Sequence, residues 1–381
     1  MKKSWTRGEK LLWAAPLLFG IVAVAARFGP NTARRAMGWP QVLGTTATNQ
    51  LISIALSRDG SVLAATGRGD GNNVPESGTV YLWDARTLSP LKPFAAQHWK
   101  ISKDDYGGFV CYGLALSPDG KLIGVNDRGK PGYAVYEVES QRELWRAPGY
   151  IPSAAFSPDG RFVALDGFEM REARSGKIAV RWRAPNWSVG HFRFAPDGKT
   201  VAWIGAGKNR PRGTGLQTPM PPNGKSVEIR RASDGKILQV LENSQETEAV
   251  AFSPDGTKIV SVSMGTLNTG EVDGSTIRCH STNGKLLWQR DYRQSNPKRV
   301  DYGIFSDAMF SPDGNRVAVR SASSLNQLLI VDAADGHELK RLHPAKGQGS
   351  NQGVPPALAF SPDGKKLFAR GRSAVLVWDL D

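Results

Sequence analysis

One five-residue motif, Phe-Ser-Pro-Asp-Gly with close variants, recurs seven times and limits the possible folds more than any other feature. The copies lie at 56–60, 116–120, 156–160, 194–198, 252–256, 310–314 and 360–364. Their glycines are 60, 40, 38, 58, 58 and 50 residues apart. Proline gives way to Arg58 in the first copy and serine to Ala195 in the fourth, while the glycine holds in all seven. Ser, Pro, Asp and Gly in that order suit a type I turn closed by a left-handed residue. Proline presets φ, aspartate can bond the nearby backbone, and glycine takes positive φ without strain. A catalytic hydroxyl would not tolerate Ala195, whereas a turn does.

Each copy has the same surroundings. A short apolar run precedes it, as in Ala154-Ala155-Phe156, and a second follows, as in Val317-Ala318-Val319. A third run comes later, as in Val80-Tyr81-Leu82-Trp83. A turn such as Ser233-Asp234-Gly235 then leads to a fourth, such as Ile237-Leu238-Gln239-Val240-Leu241. Short β-rich runs bounded by turn residues read as strands and hairpins. Four strands repeated seven times predict an all-β chain, a seven-bladed β-propeller of four-stranded antiparallel blades over residues 40–381. The 42 Gly and 24 Pro fit so turn-rich a fold.

The chain resembles the WD-repeat and related YVTN-type propellers. The resemblance rests on the seven turns and on Trp83-Asp84, Val331-Asp332 and Trp378-Asp379 closing third strands. The Gly-His pair that opens a standard WD repeat is missing. Gly190-His191 and Gly336-His337 occur, but neither leads a blade, so the His-centred network of that family is not carried over.

The last copy leaves room for only three strands before the chain ends. An open outer edge would expose unpaired backbone groups. Residues 41–44 precede the first blade with no blade of their own, so they are expected to supply the outer strand of the last blade.

Residues 1–39 read differently. A basic tail, 1–10, carries Lys2, Lys3, Arg7 and Lys10, and 11–26 is an unbroken apolar run. Segment 11–28 is read as a transmembrane anchor or signal segment, and 29–39 as a linker. A sixteen-residue helix is about 24 Å long against a hydrocarbon core of about 30 Å. Two readings stand. A retained single-pass anchor, favoured by Arg27 after the run, would place the propeller outside the cytoplasmic membrane. Cleavage after Ala23-Val24-Ala25 would release a secreted or periplasmic protein.

Net charge is +14. Seven Lys/Arg and one Glu in residues 1–40 leave about +8 for the propeller. That balance suits an acidic or polyanionic partner, a protein first of all. Nucleic acid is disfavoured because no nucleic-acid-binding motif appears. Cys111 and Cys279 fall in distant blades, so no disulfide between them is expected, and each reads as a small buried hydrophobe.

Antiparallel strands alternate direction, so the strand 1–2 and 3–4 turns share one face of the disc. The insertions at 67–78, 93–108, 205–225, 264–274, 291–306 and 343–356 all fall on the other. Long loops gathered on one end of a rigid scaffold are where binding usually resides. The candidate partner-binding residues there are Trp99, Tyr106, Lys208, Arg210, Arg212, Tyr292, Arg293, Lys298 and Arg299, since arginines and aromatics anchor interfaces.

Catalytic signals are few. The five histidines show no metal spacing, and there is no nucleophile elbow, P-loop or dinucleotide fingerprint. Segment 67–73 looks calcium-like but lacks the later bidentate Glu of an EF-hand. No catalytic residue, metal or cofactor is therefore assigned. The innermost strands, including 308–310 in the sixth blade, read as apolar or small apart from Arg193 and Glu248. The expected function is a non-catalytic protein-interaction platform. The alternative, which the resemblance allows, is a propeller hydrolase or lactonase with its site at the central channel mouth.

Overall fold

The structure, a computed structural model, describes residues 40–44, 50–68, 79–95, 113–127, 132–149, 151, 153–165, 169–182, 192–205, 226–241, 246–266, 272–293, 305–321, 328–344 and 358–380. Within these residues the strands form seven sheets, each of four antiparallel strands. We number the blades 1 to 7 from the innermost strand at Gln50–Leu56, and strands 1 to 4 outward in each. No helix among the described residues is long and apolar enough to cross a membrane. Segment 11–28, read above as anchor or signal, lies outside the described residues.

Turn chemistry fixes the strand 1–2 hairpins. In the third copy the Ser157 hydroxyl donates to Asp159 Oδ1 at 2.6 Å and accepts the Phe162 N–H at 3.0 Å. Asp159 Oδ1 also accepts the Arg161 N–H at 3.1 Å, and the Gly160 N–H closes the turn onto the Ser157 carbonyl at 2.8 Å. All seven motif glycines have φ between 67° and 74°. At Ala195 the hydroxyl is lost, yet the Gly198 N–H still reaches the Ala195 carbonyl at 2.9 Å and Asp197 still accepts Lys199 N–H. The backbone and the aspartate are thus enough to make the turn.

The ring closes as the sequence predicts. Gln41–Gly44 pairs antiparallel with Ala374–Asp379, Gln41 facing Val377 and Gly44 facing Ala374. Leu43 points into the cluster between blades 7 and 1 with Phe368, Val375 and Val377, and Val42 points outward. On the turn face, Gly60 of blade 1 lies against Pro362 of blade 7. A Cβ there would come within 2.6 Å of the proline ring, at φ +69°.

Apolar alternation explains how blades stack. Successive strand residues point to opposite faces, so each strand packs on both neighbouring blades. In Arg316–Ser321 of blade 6, Val317 and Val319 join the cluster with blade 5, while Ala318 joins the cluster with blade 7. One such cluster fills each of the seven junctions.

A second tie at the rim was not legible in the strand pattern. Trp145 on the outer strand of blade 2 donates its indole N–H to the Ala173 carbonyl of blade 3 at 2.8 Å. Trp182 of blade 3 does the same to Ala232 of blade 4 at 3.0 Å, and Trp288 of blade 5 to Ala333 of blade 6 at 3.1 Å. Each indole lies against the glycine of the next strand 3–4 turn. A Cβ on Gly235 would meet Trp182 at 2.7 Å. Between blades 4 and 5 the tryptophan is replaced: Gly284 faces Gln239.

Two strand limits correct the sequence reading. The inner strand of blade 6, placed at 308–310, runs Phe305–Phe310. A bulge at Ser306 lets pairing continue upstream, where the Phe305 ring is buried, and this brings Asp307 into the strand. In blade 5, pairing of Gly274 with Arg293 and Ser275 with Tyr292 carries the outer strand to Arg293. Tyr292 and Arg293 therefore belong to a strand end, not to a free loop.

Candidate functional site at the long-loop face

The two faces of the disc differ as expected from loop lengths. Every strand 1–2 turn and the strand 3–4 turns of blades 1 to 6 are described and short. Every internal segment outside the described residues joins strand 2 to 3 or strand 4 to the next strand 1. Of the nine candidate residues, Trp99, Tyr106, Lys208, Arg210, Arg212, Lys298 and Arg299 lie outside the described residues. Tyr292 packs edge-on against Phe305 with ring centroids 5.2 Å apart, next to the cluster between blades 5 and 6. That contact orients the outer end of blade 5.

Two groups stand out among the buried polar side chains of the described residues. One is the turn serines, such as Ser57, Ser117 and Ser311, at the short-turn end. The other gathers where the inner strands meet the long-loop face: Thr66, Asn126, Thr247, Asp307, Arg320 and Arg370 are among them. Sequence reasoning searched strand 1 and found Arg193 and Glu248. It missed Asp307, hidden by the strand limit, and the arginines at the ends of strand 2. A signal existed: Arg320 and Arg370 each stand six residues after a motif glycine.

At this end the inner strands of blades 1, 5 and 6 each carry a bulge four residues before the apolar residue that opens the motif. The extra residues are Ile52, Glu248 and Ser306. Bulges re-aim neighbouring side chains and are common beside functional sites. Here they flank the Ser53–Thr66, Thr247–Ser263 and Asp307–Arg320 cross-strand pairs. Arg193 of blade 4 brings Nη2 to 3.9 Å from Asp307 Oδ1 of blade 6, so these two side chains meet across blade 5, toward the disc axis. Asp307 Oδ1 also accepts the Ala308 N–H at 3.0 Å.

Two other groups bear on chemistry. Asp332, Asp335 and His337 bring ligand atoms within 4.8 Å of one another in the strand 3–4 turn of blade 6. Their bonds shape that turn: Asp335 accepts the His337 N–H at 2.9 Å and Asp332 accepts the Ala334 N–H at 2.6 Å. Cys279 is buried, and burial pushes its thiol up to about 11, which makes it a poor nucleophile.

His280 is buried opposite Ile259, which places it in the junction between blades 4 and 5. Burial, with Arg278 nearby, holds its pKa below the ordinary 6.5. A depressed histidine binds its proton more readily in the unfolded chain. Its stabilisation is therefore complete above pH 6.5 and is lost as pH falls through the folded value. Melting temperature should drop between pH 7 and pH 5 in the wild type, and His280→Phe should flatten that part of the curve. A variant curve parallel to wild type would show that His280 does not set it.

No protein-family model matches the chain. Two curated proteins are similar at low identity. An uncharacterized WD repeat-containing protein of Synechocystis sp. is 24% identical over 174 residues, 43% of this chain and 45% of that protein. WD repeat-containing protein 1 of Bos taurus is 27% identical over 162 residues, 35% of this chain and 26% of that protein. The match therefore spans less than half the length of either relative. Among solved structures, Kuenenia stuttgartiensis hydrazine synthase shares the fold with a TM-score of 0.64 at 16% identity, covering 88% of this chain and 97% of the matched one. The class is thus defined: a seven-bladed β-propeller. More particularly, the seven motif turns and the two low-identity relatives support a place in the WD-repeat-like propeller superfamily.

Proposed function

We propose that the chain is a non-catalytic protein-interaction platform, a membrane-tethered or exported propeller that holds its partner on the long-loop face. One observation carries this reading: tight, internally bonded turns close one face, and every long connection joins strands on the other. Rigid blades position long loops on one side as a wide surface, where binding residues commonly sit. Lys208, Arg210, Arg212, Arg293, Lys298 and Arg299 would give that surface a basic character, suited to an acidic protein or a polyanion. Trp99 and Tyr106 would serve as aromatic anchors. Segment 11–28 would tether the platform to the membrane, with the propeller outside the cytoplasmic membrane, or would be cleaved on export.

The test is affinity capture with the full chain, comparing wild type with a variant carrying Arg210, Arg212, Arg293 and Arg299 changed to Glu. An acidic partner captured by wild type and lost from the variant at equal melting temperature is the expected result. The same partner captured equally by both would defeat the basic-face reading.

A second reading, a propeller hydrolase or lactonase, draws on the Arg193–Asp307 contact near the disc axis. Turnover of an ester or lactone panel that disappears in a folded Asp307→Asn variant would move the assignment there.

A further inference from the structure

Aligned on the motif glycines, the sixth residue onward is Thr66, Asn126, Ile204 and Val262 in blades 1, 2, 4 and 5. In blades 6 and 7 it is Arg320 and Arg370, 1% and 0% exposed. The same alternation that points Ala318 at blade 7 points Arg320 there, and Phe368 and Arg370 likewise face blade 1. Arg370 has a clear structural task. Its Nη1 donates to the Leu51 carbonyl of blade 1 at 3.3 Å, tying the closing junction.

Arg320 stands in the same place but is bonded differently. Its Nη1 donates to Ser306 Oγ, in its own blade, at 3.3 Å. Among the described residues its Nε and Nη2 are buried and make no hydrogen bond. Those two atoms form the side of the guanidinium that presents a pair of parallel N–H groups. That fork matches two oxygens of a carboxylate or phosphate. Asp307 lies opposite in register and supports the charge, but its Oδ1 takes the Ala308 N–H and the approach of Arg193. Burial lowers Arg320 to about 10, against the pull of Asp307, so the side chain remains cationic at neutral pH. Among the described residues, two fully buried arginines thus stand with one fully buried carboxylate at this end of the inner strands. A buried guanidinium with unused donors costs stability that an apolar side chain of similar size would not.

We propose that the Nε/Nη2 edge of Arg320 receives a small oxyanion, a carboxylate or a phosphate, at the long-loop end of the inner strands between blades 6 and 7. Arg193, 22% exposed, stands nearer solvent beside Asp307 and draws the anion inward. The site is independent of the platform reading, since it rests on buried strand residues and not on the loops.

The experiment is thermal unfolding of the full chain with acetate, succinate or phosphate titrated against chloride at matched ionic strength. Wild type should show a saturable rise in melting temperature with at least one of these anions. The carboxylate and phosphate arms identify which oxyanion the fork takes. Arg320→Met should lose the response while melting, without added anion, at or above the wild-type temperature. Arg370→Met should melt lower and keep the response. Should Arg320→Met fail to fold, Arg320→Lys keeps the charge and removes the fork, and its affinity for the anion should fall at least tenfold. A wild type indifferent to all three anions would overturn the proposal. So would an anion response that survives Arg320→Met, or Arg320→Lys binding as tightly as wild type.

Discussion

Deleting residues 40–44 is expected to cost the propeller at least about 3–5 kcal/mol, far more than five residues removed from an exposed terminus. The loss has two parts. The strand Ala374–Asp379 becomes an open edge, because Gln41–Gly44 supplies its outer pairing. The buried Leu43 side chain leaves the cluster between blades 7 and 1. Single substitutions separate these parts. Leu43→Ala should cost about 2–5 kcal/mol, the range for a buried leucine. Val42→Ser, at an outward position 42% exposed, should be nearly neutral. Urea unfolding followed by circular dichroism measures all three, and a deletion variant with the wild-type midpoint would refute closure by this strand.

The second large effect is expected at the rim. Trp288→Ala and Trp182→Ala should each lower stability by about 3–5 kcal/mol, as for other buried aromatics. Each removes an indole packed against the next blade's turn glycine and a hydrogen bond to the next blade. Trp288→Phe keeps most of the apolar contact and loses the N–H, so about 1–3 kcal/mol should remain, the cost of leaving the Ala333 carbonyl short of a donor. Denaturant midpoints of the three variants decide this. A Phe variant as damaged as the Ala variant would assign the whole effect to shape.

Much of the fold could be read from the sequence because its determinants are local. The turn motif needs five residues and tolerates Ala195, so it counts blades without tertiary information. The closing strand followed from a shortage, three strands where four are needed; its register, with Leu43 turned inward, came only from the structure. The inner site was harder to see for the opposite reason. The strand holding Asp307 starts inside a long connection with no turn residue to mark it, and the start depends on burial of Phe305. Arg320 and Arg370 end ordinary β-rich runs, and what sets them apart is the junction they face. The indole ties link residues such as Trp182 and Ala232 in separate repeats, and no local pattern announces them. Tyr292 read as a loop aromatic and proves to pack on Phe305 across the blade junction.

The replacement of tryptophan by Gln239 has a mechanical consequence. A ring cannot loosen evenly; it must part at one junction and become a curved strip with two raw ends. The junction between blades 4 and 5 has glutamine where its neighbours have an indole clasp, and it also contains His280, which acid would charge. The closing junction, by contrast, is stitched by a strand from the far end of the chain and by Arg370. Under acid stress the ring is therefore expected to part first in the middle of the sequence, opposite the place where the two termini are joined.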